Sequence, residues 1–218
     1  MKILLCIPGN NFSGTFLDCL IDTINFFNKK SWIFAISRRE SSNIYHLRSM
    51  CLGANVLRGK NQKPFDDKFD YDWVLWIDSD IVWKPLDIMN LLNTEGDVVS
   101  GLYRMSNKVQ FTAIDDWNED YFREHGTFKF IEEDDLKSPK YQSPFEVIYV
   151  GMGFMAVKKG IFENIEYPWF EPKFFDFGNG ICDFSSEDVG FCLKVRDKGY
   201  KIIVNPKIIV GHEKKVIL

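Results

Sequence analysis

The sequence predicts an α/β protein: a mostly parallel central sheet flanked by helices, with a smaller region of hairpin and loops beside it. Three observations carry this expectation. Apolar runs of strand length alternate with amphipathic runs of helix length along the chain. The strand-length runs read as buried, which suits a sheet covered on both faces. One of them, "WVLWIDSDIVW" (73–83), carries two carboxylates one residue apart at its carboxyl end. That is the edge at which sheets of this class bind ligands.

Taken in order, Lys2–Pro8 reads as a buried strand ended by Pro8-Gly9-Asn10-Asn11. A helix follows from Ser13, with Phe16, Leu17, Leu20, Ile21, Ile24 and Phe27 on its apolar stripe. "WIFAIS" (32–37) is the second strand, and "SSNIYHLRSMCLGAN" a helix from a serine cap to a stop at Gly53. A short strand is expected at Val56-Leu57, a longer one at 71–78, a helix at 86–95 and a strand at 97–103. The polar, acidic stretch 104–145 reads as an excursion with a hairpin near 109–114 and a mobile loop. "EVIYVGMGFMAVKKGIFENI" resumes with a strand, a Gly-x-Gly and a helix. "PWFEPKFFDFGNGICDF" has neither period and reads as a long ligand-facing loop. "SSEDVGFCLKVRDKGYKIIVNP" is a capped helix ending at Gly199, then a strand.

Composition bounds the function. The chain has 218 residues, 45% hydrophobic and 27% charged, an ordinary globular balance with no linker segment. A net charge of −4 and the lack of a Lys/Arg run give no attraction to nucleic acid. Aromatic residues make up 16%, including 20 Phe; most belong in the core, and a loop rich in them also suits a sugar or base platform. Five cysteines without a C-x-x-C pair argue against a disulfide framework or zinc ribbon and for a reducing, cytoplasmic compartment. The apolar run at the N-terminus stops at Pro8, too short for a signal core or a membrane span. Asn11-Phe12-Ser13 fits a glycosylation sequon but lacks that context. The chain ends on "HEKKVIL" without a polar tail, so it is expected to be one domain cut from a longer polypeptide.

An ionised carboxylate buried without a partner costs several kcal/mol or more. Asp78 and Asp80 are therefore expected at the mouth of the core, with the small Ser79 between them. Two carboxylates there suit a hard divalent cation that also holds phosphate oxygens. A pair of solvated turn aspartates is the plain alternative. A calcium loop fails because position 82 is Val. "DSDIV" also matches an aspartate-nucleophile phosphatase, with Asp78 attacking phosphorus. That motif normally sits on a domain's first strand, and here three strand–helix units precede it.

At these residues the sequence resembles the GT-A (Rossmann-like) nucleotide-sugar glycosyltransferases. "CIPGNN", "WIDSD", "SSEDVGFCLKVRDKGYKI" and "VGHEK" carry the resemblance, in the family's order and across nearly the whole chain. The compact length and the "IPGNNFSGTF" start are most similar to virus-encoded glycosyltransferase domains of large algal (chlorella) viruses. The resemblance implies one domain over 1–218, with a nucleotide-binding part over about 1–103 and an acceptor-side part over about 104–218. It implies Mn²⁺ (or Mg²⁺) as cofactor, held by Asp80, His212 and, directly or through water, Asp78, which also binds the ribose. It implies a UDP-sugar donor lined by Pro8, Gly9, Asn10 and Ser79, with Arg38 and Arg48 around uracil and phosphates. Lys214 or Lys215 touches the diphosphate, and Ser100–Tyr103 with Gly151 and Gly153 border the sugar. Glu187 or Asp188, with Asp183 behind them, serves the acceptor hydroxyl or the anomeric carbon. Taken without the resemblance, Glu187 and Asp188 are first-turn acids that suit a helix N-terminus.

The function expected is metal-dependent transfer of a hexose-type sugar to a hydroxyl of a glycan or glycoprotein, a viral capsid glycan among the options. The alternatives are the Asp78 phosphatase and a non-catalytic nucleotide-sugar-binding domain. A nucleotidyltransferase fits less well, because the first loop lacks a basic Gly-rich phosphate signature.

Overall fold

The computed structural model describes residues 1–214. Its strands are β1 (Lys2–Pro8), β2 (Ile33–Arg39), β3 (Trp73–Ile77), β4 (Ile81–Val82), β5 (Val98–Leu102), β6 (Ala113–Ile114), β7 (Phe145–Val147), β8 (Tyr149–Val150), β9 (Phe154–Lys158), β10 (Phe174–Asp176), β11 (Cys182–Phe184), β12 (Ile202–Ile209) and β13 (Gly211–His212). The helices are α1 (Gly14–Lys29), α2 (Ile44–Cys51), α3 (Pro85–Asn93), α4 (Glu119–His125), α5 (Ile161–Asn164) and α6 (Glu187–Asp197).

The central sheet has seven strands in the order β2-β1-β3-β9-β5-β12-β7. β9 and β7 run against the others, so the sheet is mostly parallel. Three small antiparallel pairs, β4/β13, β6/β8 and β10/β11, lie outside it. Side-chain alternation along the inner strands divides the core. Leu4, Cys6, Val74 and Trp76 face the layer that includes α2, α5 and α6. Ile3, Leu5, Ile7, Leu75 and Ile77 face the layer of α1 and α3. Asp78 follows Trp76 at the same parity, so the pleat aims it toward α2 and α6.

Several expectations need correction. The α1 stripe is only partly covered: Phe16 and Phe27 are buried, whereas Ile21 is 55% exposed, because only the line through residues 16, 20, 23 and 27 meets the sheet. Thr23 on that line is buried and accepts a hydrogen bond from the Trp83 indole at 2.8 Å. The α2 cap is Asn43, accepting from the His46 amide at 3.1 Å, and not a serine. Val56-Leu57 forms a short 3₁₀ turn, with Leu57 90% exposed, since no neighbouring strand is there to pair with it. The 104–145 stretch is anchored, not a free loop: Phe111, Phe122, Phe128 and Ile131 are buried in the main core. The local hairpin lies slightly earlier than 109–114, closed by the antiparallel bridge of Arg104 with Phe111 and the Met105 amide donating to the Gln110 carbonyl at 2.7 Å, while β6 pairs with β8.

"EVIYVGMGFMAV" is divided among three strands, β7, β8 and β9, of which β8 pairs outside the central sheet. The aromatic loop contains the β10/β11 pair. No helix among the described residues is long and apolar enough to cross a membrane.

One contact fixes α6 against the chain leading to β10. A Cβ added at Gly190 would lie 1.9 Å from the Glu171 carbonyl oxygen. Gly190→Ala should therefore cost about 1–3 kcal/mol by overpacking, lowering the melting temperature by roughly 2–4 °C per kcal/mol. Gly14→Ala, with nothing within 4 Å of the added Cβ, should leave it unchanged or raise it slightly. Equal melting temperatures for the two variants would contradict this packing.

Candidate functional site

Asp78 and Asp80 leave the carboxyl end of β3 in a tight turn. The Asp78 amide donates to the Gly153 carbonyl at 3.0 Å, and the Ile81 amide donates back to the Asp78 carbonyl at 3.1 Å. The turn sends the two carboxylates to different partners.

Asp78 meets Arg48 of α2. Arg48 Nη1 and Nη2 donate to its two oxygens at 2.8 and 2.9 Å, and Arg48 Nε donates to Glu187 of α6 at 2.9 Å. Arg48 is 3% exposed and Glu187 7%, and the guanidinium lies 5.6 Å from the centre of the Trp76 ring. Burial opposes the Arg48 charge, but Asp78 first and Glu187 next raise its pKa, so it stays protonated. The resemblance implied a contact of Arg48 with uracil and phosphates. The structure instead commits its guanidinium to two carboxylates, because the face of β3 that carries Trp76 and Asp78 packs on α2 and α6.

Asp80 meets the end of the chain. β13 pairs antiparallel with β4, His212 opposite Ile81, and the Glu213 amide donates to the Asp80 carbonyl at 2.7 Å. His212 Nε2 lies 3.0 Å from Asp80 Oδ2, and Lys214 Nζ donates to the same oxygen at 2.9 Å. His212 Nδ1 lies 2.6 Å from the Arg104 carbonyl, which fixes that nitrogen as a donor. Partial burial works against the Asp80 charge, yet hydrogen bonds from His212 and then Lys214 bring its pKa down to about 2. The hydrogen bond to Asp80 raises the pKa of His212.

This donor set can be tested against a divalent cation. With Nδ1–H given to a backbone carbonyl, a neutral His212 turns its Nε2 lone pair on a carboxylate oxygen. Two electron-pair donors facing each other at 3.0 Å need a cation or a proton between them. Lys214 supplies positive charge at the same oxygen. One carboxylate and one imidazole fit Mn²⁺. Asp78 does not join them: both its oxygens are held by Arg48, and among the described residues no group of three His, Cys, Asp or Glu is placed to hold one ion. Direct ligation by Asp78 is thus corrected, and Asp80 with His212 remains.

Beside Asp80 lies a cleft of about 530 Å³ lined by Asn11, Phe12, Ser13, Ser79, Asp80, Glu213 and Lys214. The lining from the first loop is therefore Asn11–Ser13, slightly later than Pro8, Gly9 and Asn10. Gly9 instead lets two loops pack closely, since its φ is +128° and a Cβ there would lie 2.9 Å from Ser79 Oγ. Arg38 Nε donates to the Gly9 carbonyl at 3.1 Å and its Nη2 to Glu40 at 2.9 Å, while Asn10 Nδ2 donates to Glu40 at 3.2 Å. Phe12, 5.7 Å from Arg38, lines the cleft and was missed by sequence reasoning, as was Glu40, which braces the loop behind it and whose pKa is lowered by Asn10 and then Arg38. Their signal was only proximity to the two loop ends. Lys215 lies outside the described residues.

Ser100 is sealed in the sheet, donating to the Phe154 carbonyl at 3.0 Å, and does not border a sugar. Gly151 and Gly153 are small because Tyr103 fills their space; its hydroxyl accepts from the Gly153 amide at 3.0 Å. Asp188, half-buried beside Glu187, accepts from the Ser186 hydroxyl and from the Val189 amide at 2.8 Å. Burial, then the Glu187 charge, push its pKa up. Asp183 is exposed on β11 and accepts from the Phe184 amide at 2.7 Å. It borders a second, aromatic cavity at the start of α6.

This architecture, a mostly parallel sheet with the Asp-x-Asp turn at its carboxyl edge, is that of the GT-A-like glycosyltransferase fold. No protein-family model matches the chain, and no curated protein matches it. Two solved structures are similar in fold. A197 from STIV aligns with a TM-score of 0.58 and 20% identity over 99% of this chain and 87% of that one. GalNAc-T7, solved with UDP, GalNAc and Mn²⁺, aligns with a TM-score of 0.59 and 9% identity. That match covers 99% of this chain, which spans 43% of the GalNAc-T7 chain. Neither match supports the narrower likeness to algal-virus domains.

Two measurements test this geometry. Removing one partner of a buried ion pair costs about 3–5 kcal/mol, so Arg48→Met should show a loss of that order in urea denaturation. Adding Glu187→Leu should recover part of it, since the stranded carboxylate is gone; additive losses would break the proposed clamp. The raised pKa of His212 makes its pairing with Asp80 stabilising below the unfolded value of about 6.5. That contribution is lost as pH rises through the folded value. An NMR titration of the metal-free protein should therefore place the His212 midpoint above 6.5, and Asp80→Asn should return it toward that value.

Proposed function

We propose that this chain is a metal-dependent glycosyltransferase that moves a hexose-type sugar from a UDP-sugar to a hydroxyl of a glycan or glycoprotein. The observation that carries this reading is the convergence of Asp80, His212 and Lys214 beside the cleft at the carboxyl edge of the sheet. The fold it shares with GalNAc-T7, described with UDP, GalNAc and Mn²⁺, supports the choice of donor and metal.

Asp80 and His212 would hold Mn²⁺ or Mg²⁺, and the ion supplies Lewis-acid stabilisation to the leaving diphosphate. Lys214 adds a second positive charge there. Asn11, Phe12 and Ser13 shape the nucleotide side of the cleft, and Arg38 and Glu40 brace the loop behind them. Asp78, fixed by Arg48, orients the ribose with its outward edge. In transfer, the bond from the anomeric carbon to the diphosphate oxygen breaks and a bond to the acceptor oxygen forms. The acceptor proton needs a base. Asp188 suits this role better than Glu187, because its pKa is raised and no cation among the described residues is paired with it, whereas Glu187 holds Arg48. Asp183 stands at the acceptor side.

Asp78 as a phosphatase nucleophile is disfavoured, since both carboxylate oxygens are bound by Arg48. A reducing compartment suits the five free thiols, Cys6, Cys19, Cys51, Cys182 and Cys192.

In calorimetry with Mn²⁺, UDP should bind more tightly than GDP or ADP, and Asp80→Ala should abolish the binding. Asp188→Asn should leave UDP affinity intact and slow transfer by about 10²–10⁴-fold. Nucleotide binding that does not respond to Mn²⁺ or to Asp80→Ala would sink the metal assignment. UDP binding without turnover on any nucleotide-sugar would select a non-catalytic binding domain.

A further inference from the structure

The aromatic cavity at the start of α6 is separate from the nucleotide cleft and shares no lining residue with it. Its volume is about 180 Å³. Trp117, half-exposed, forms one wall and packs on Phe128 and Phe175, with ring centres 4.2 and 5.2 Å away. Tyr149 forms part of the lining and is only 9% exposed. Its hydroxyl has no hydrogen-bond partner among the described residues, and its pKa is raised by burial first and by the nearby Asp188 charge next. That hydroxyl is not sealed from solvent, so it is free to bond a water or a ligand that enters the cavity. Ser186 and Val189, on either side of Asp188, also line the cavity, so it opens beside the candidate base.

We infer that this cavity binds a neutral pyranose ring, the sugar unit of the acceptor that carries the reacting hydroxyl. A pyranose has an apolar C–H face for the Trp117 and Phe175 rings and a rim of hydroxyls for polar partners. The Tyr149 hydroxyl both donates and accepts, which a sugar hydroxyl answers in full and a hydrocarbon tail or a quaternary organic cation does not. Asp183 on the rim and Asp188 behind it disfavour an anionic sugar. The size fits one ring, so specificity falls on a single terminal residue of the acceptor. The word acceptor rests on the transferase reading above; the sugar site itself does not.

The test uses methyl glycosides of neutral hexoses, deoxyhexoses and pentoses as probes. Saturation-transfer NMR reads their binding to the 218-residue chain, with UDP and with Mg²⁺ in place of paramagnetic Mn²⁺. At least one pyranoside should receive saturation. Tyr149→Phe, which keeps the ring and removes only the hydroxyl, should weaken that pyranoside by about 3–10-fold, the worth of one neutral hydrogen bond. Melting temperature and UDP affinity should not change. Trp117→Ala should weaken it by more than about 10-fold. No saturation of any pyranoside while UDP binds normally overturns the cavity and leaves the transferase reading intact. Pyranoside binding sensitive to Tyr149→Phe in a protein that fails to bind UDP upholds the cavity and overturns the transferase reading instead. Stronger saturation of 1-octanol or tetramethylammonium than of any sugar, or loss of UDP affinity in Tyr149→Phe, also overturns the sugar site.

Discussion

The site depends on one buried cation. Arg48 sits between the tip of β3 and the start of α6, and each of its three nitrogens donates one hydrogen bond, two to Asp78 and one to Glu187. A bidentate guanidinium–carboxylate pair fixes angle as well as distance, which a lysine could not do. Because Arg48 is fully buried, neither carboxylate can leave it cheaply. The clamp therefore ties the carboxyl end of β3 to the start of α6. It also explains how two acids at the end of an apolar strand are tolerated: one is neutralised inside, and the other is turned outward.

The outward acid, Asp80, is held differently. Its partners arrive on a pairing of only two residues per strand, β4 with β13, at the far end of the chain. A pairing this short has little stability of its own, and the Asp80–His212–Lys214 charges add to it. The same groups that complete the C-terminal segment are those proposed to bind a divalent ion and a diphosphate. Structure and ligand binding are coupled at this edge, since a metal would replace the proton and the ammonium now facing Asp80.

The region in front of α6 is built from aromatic residues that the sequence scatters without a period. Trp117, Phe122 and Phe128 come from the 104–145 stretch, Phe175 and Phe177 from the loop before α6. They converge on α6 at Ser186 and Val189. The fold is common to chains that share few residues with this one.

The sequence by itself determined the sheet, most helices and the location of the aspartates, because these follow from periodicity and caps that act over a few residues. Asp78 and Asp80 were legible as acids at the carboxyl end of one apolar strand, and Glu187 and Asp188 as the opening of a helix. The tertiary structure alone decided which partner each acid takes. Arg48 lies 30 residues from Asp78 and 139 from Glu187, and His212 lies 132 residues from Asp80. No local pattern encodes such pairings. They arise from which face of β3 packs on α2 and α6, and from a two-residue strand returning to pair beside the turn. The same holds for Val56-Leu57, whose strand propensity found no neighbour, and for Tyr149, which meets the aromatic cavity only in the folded chain.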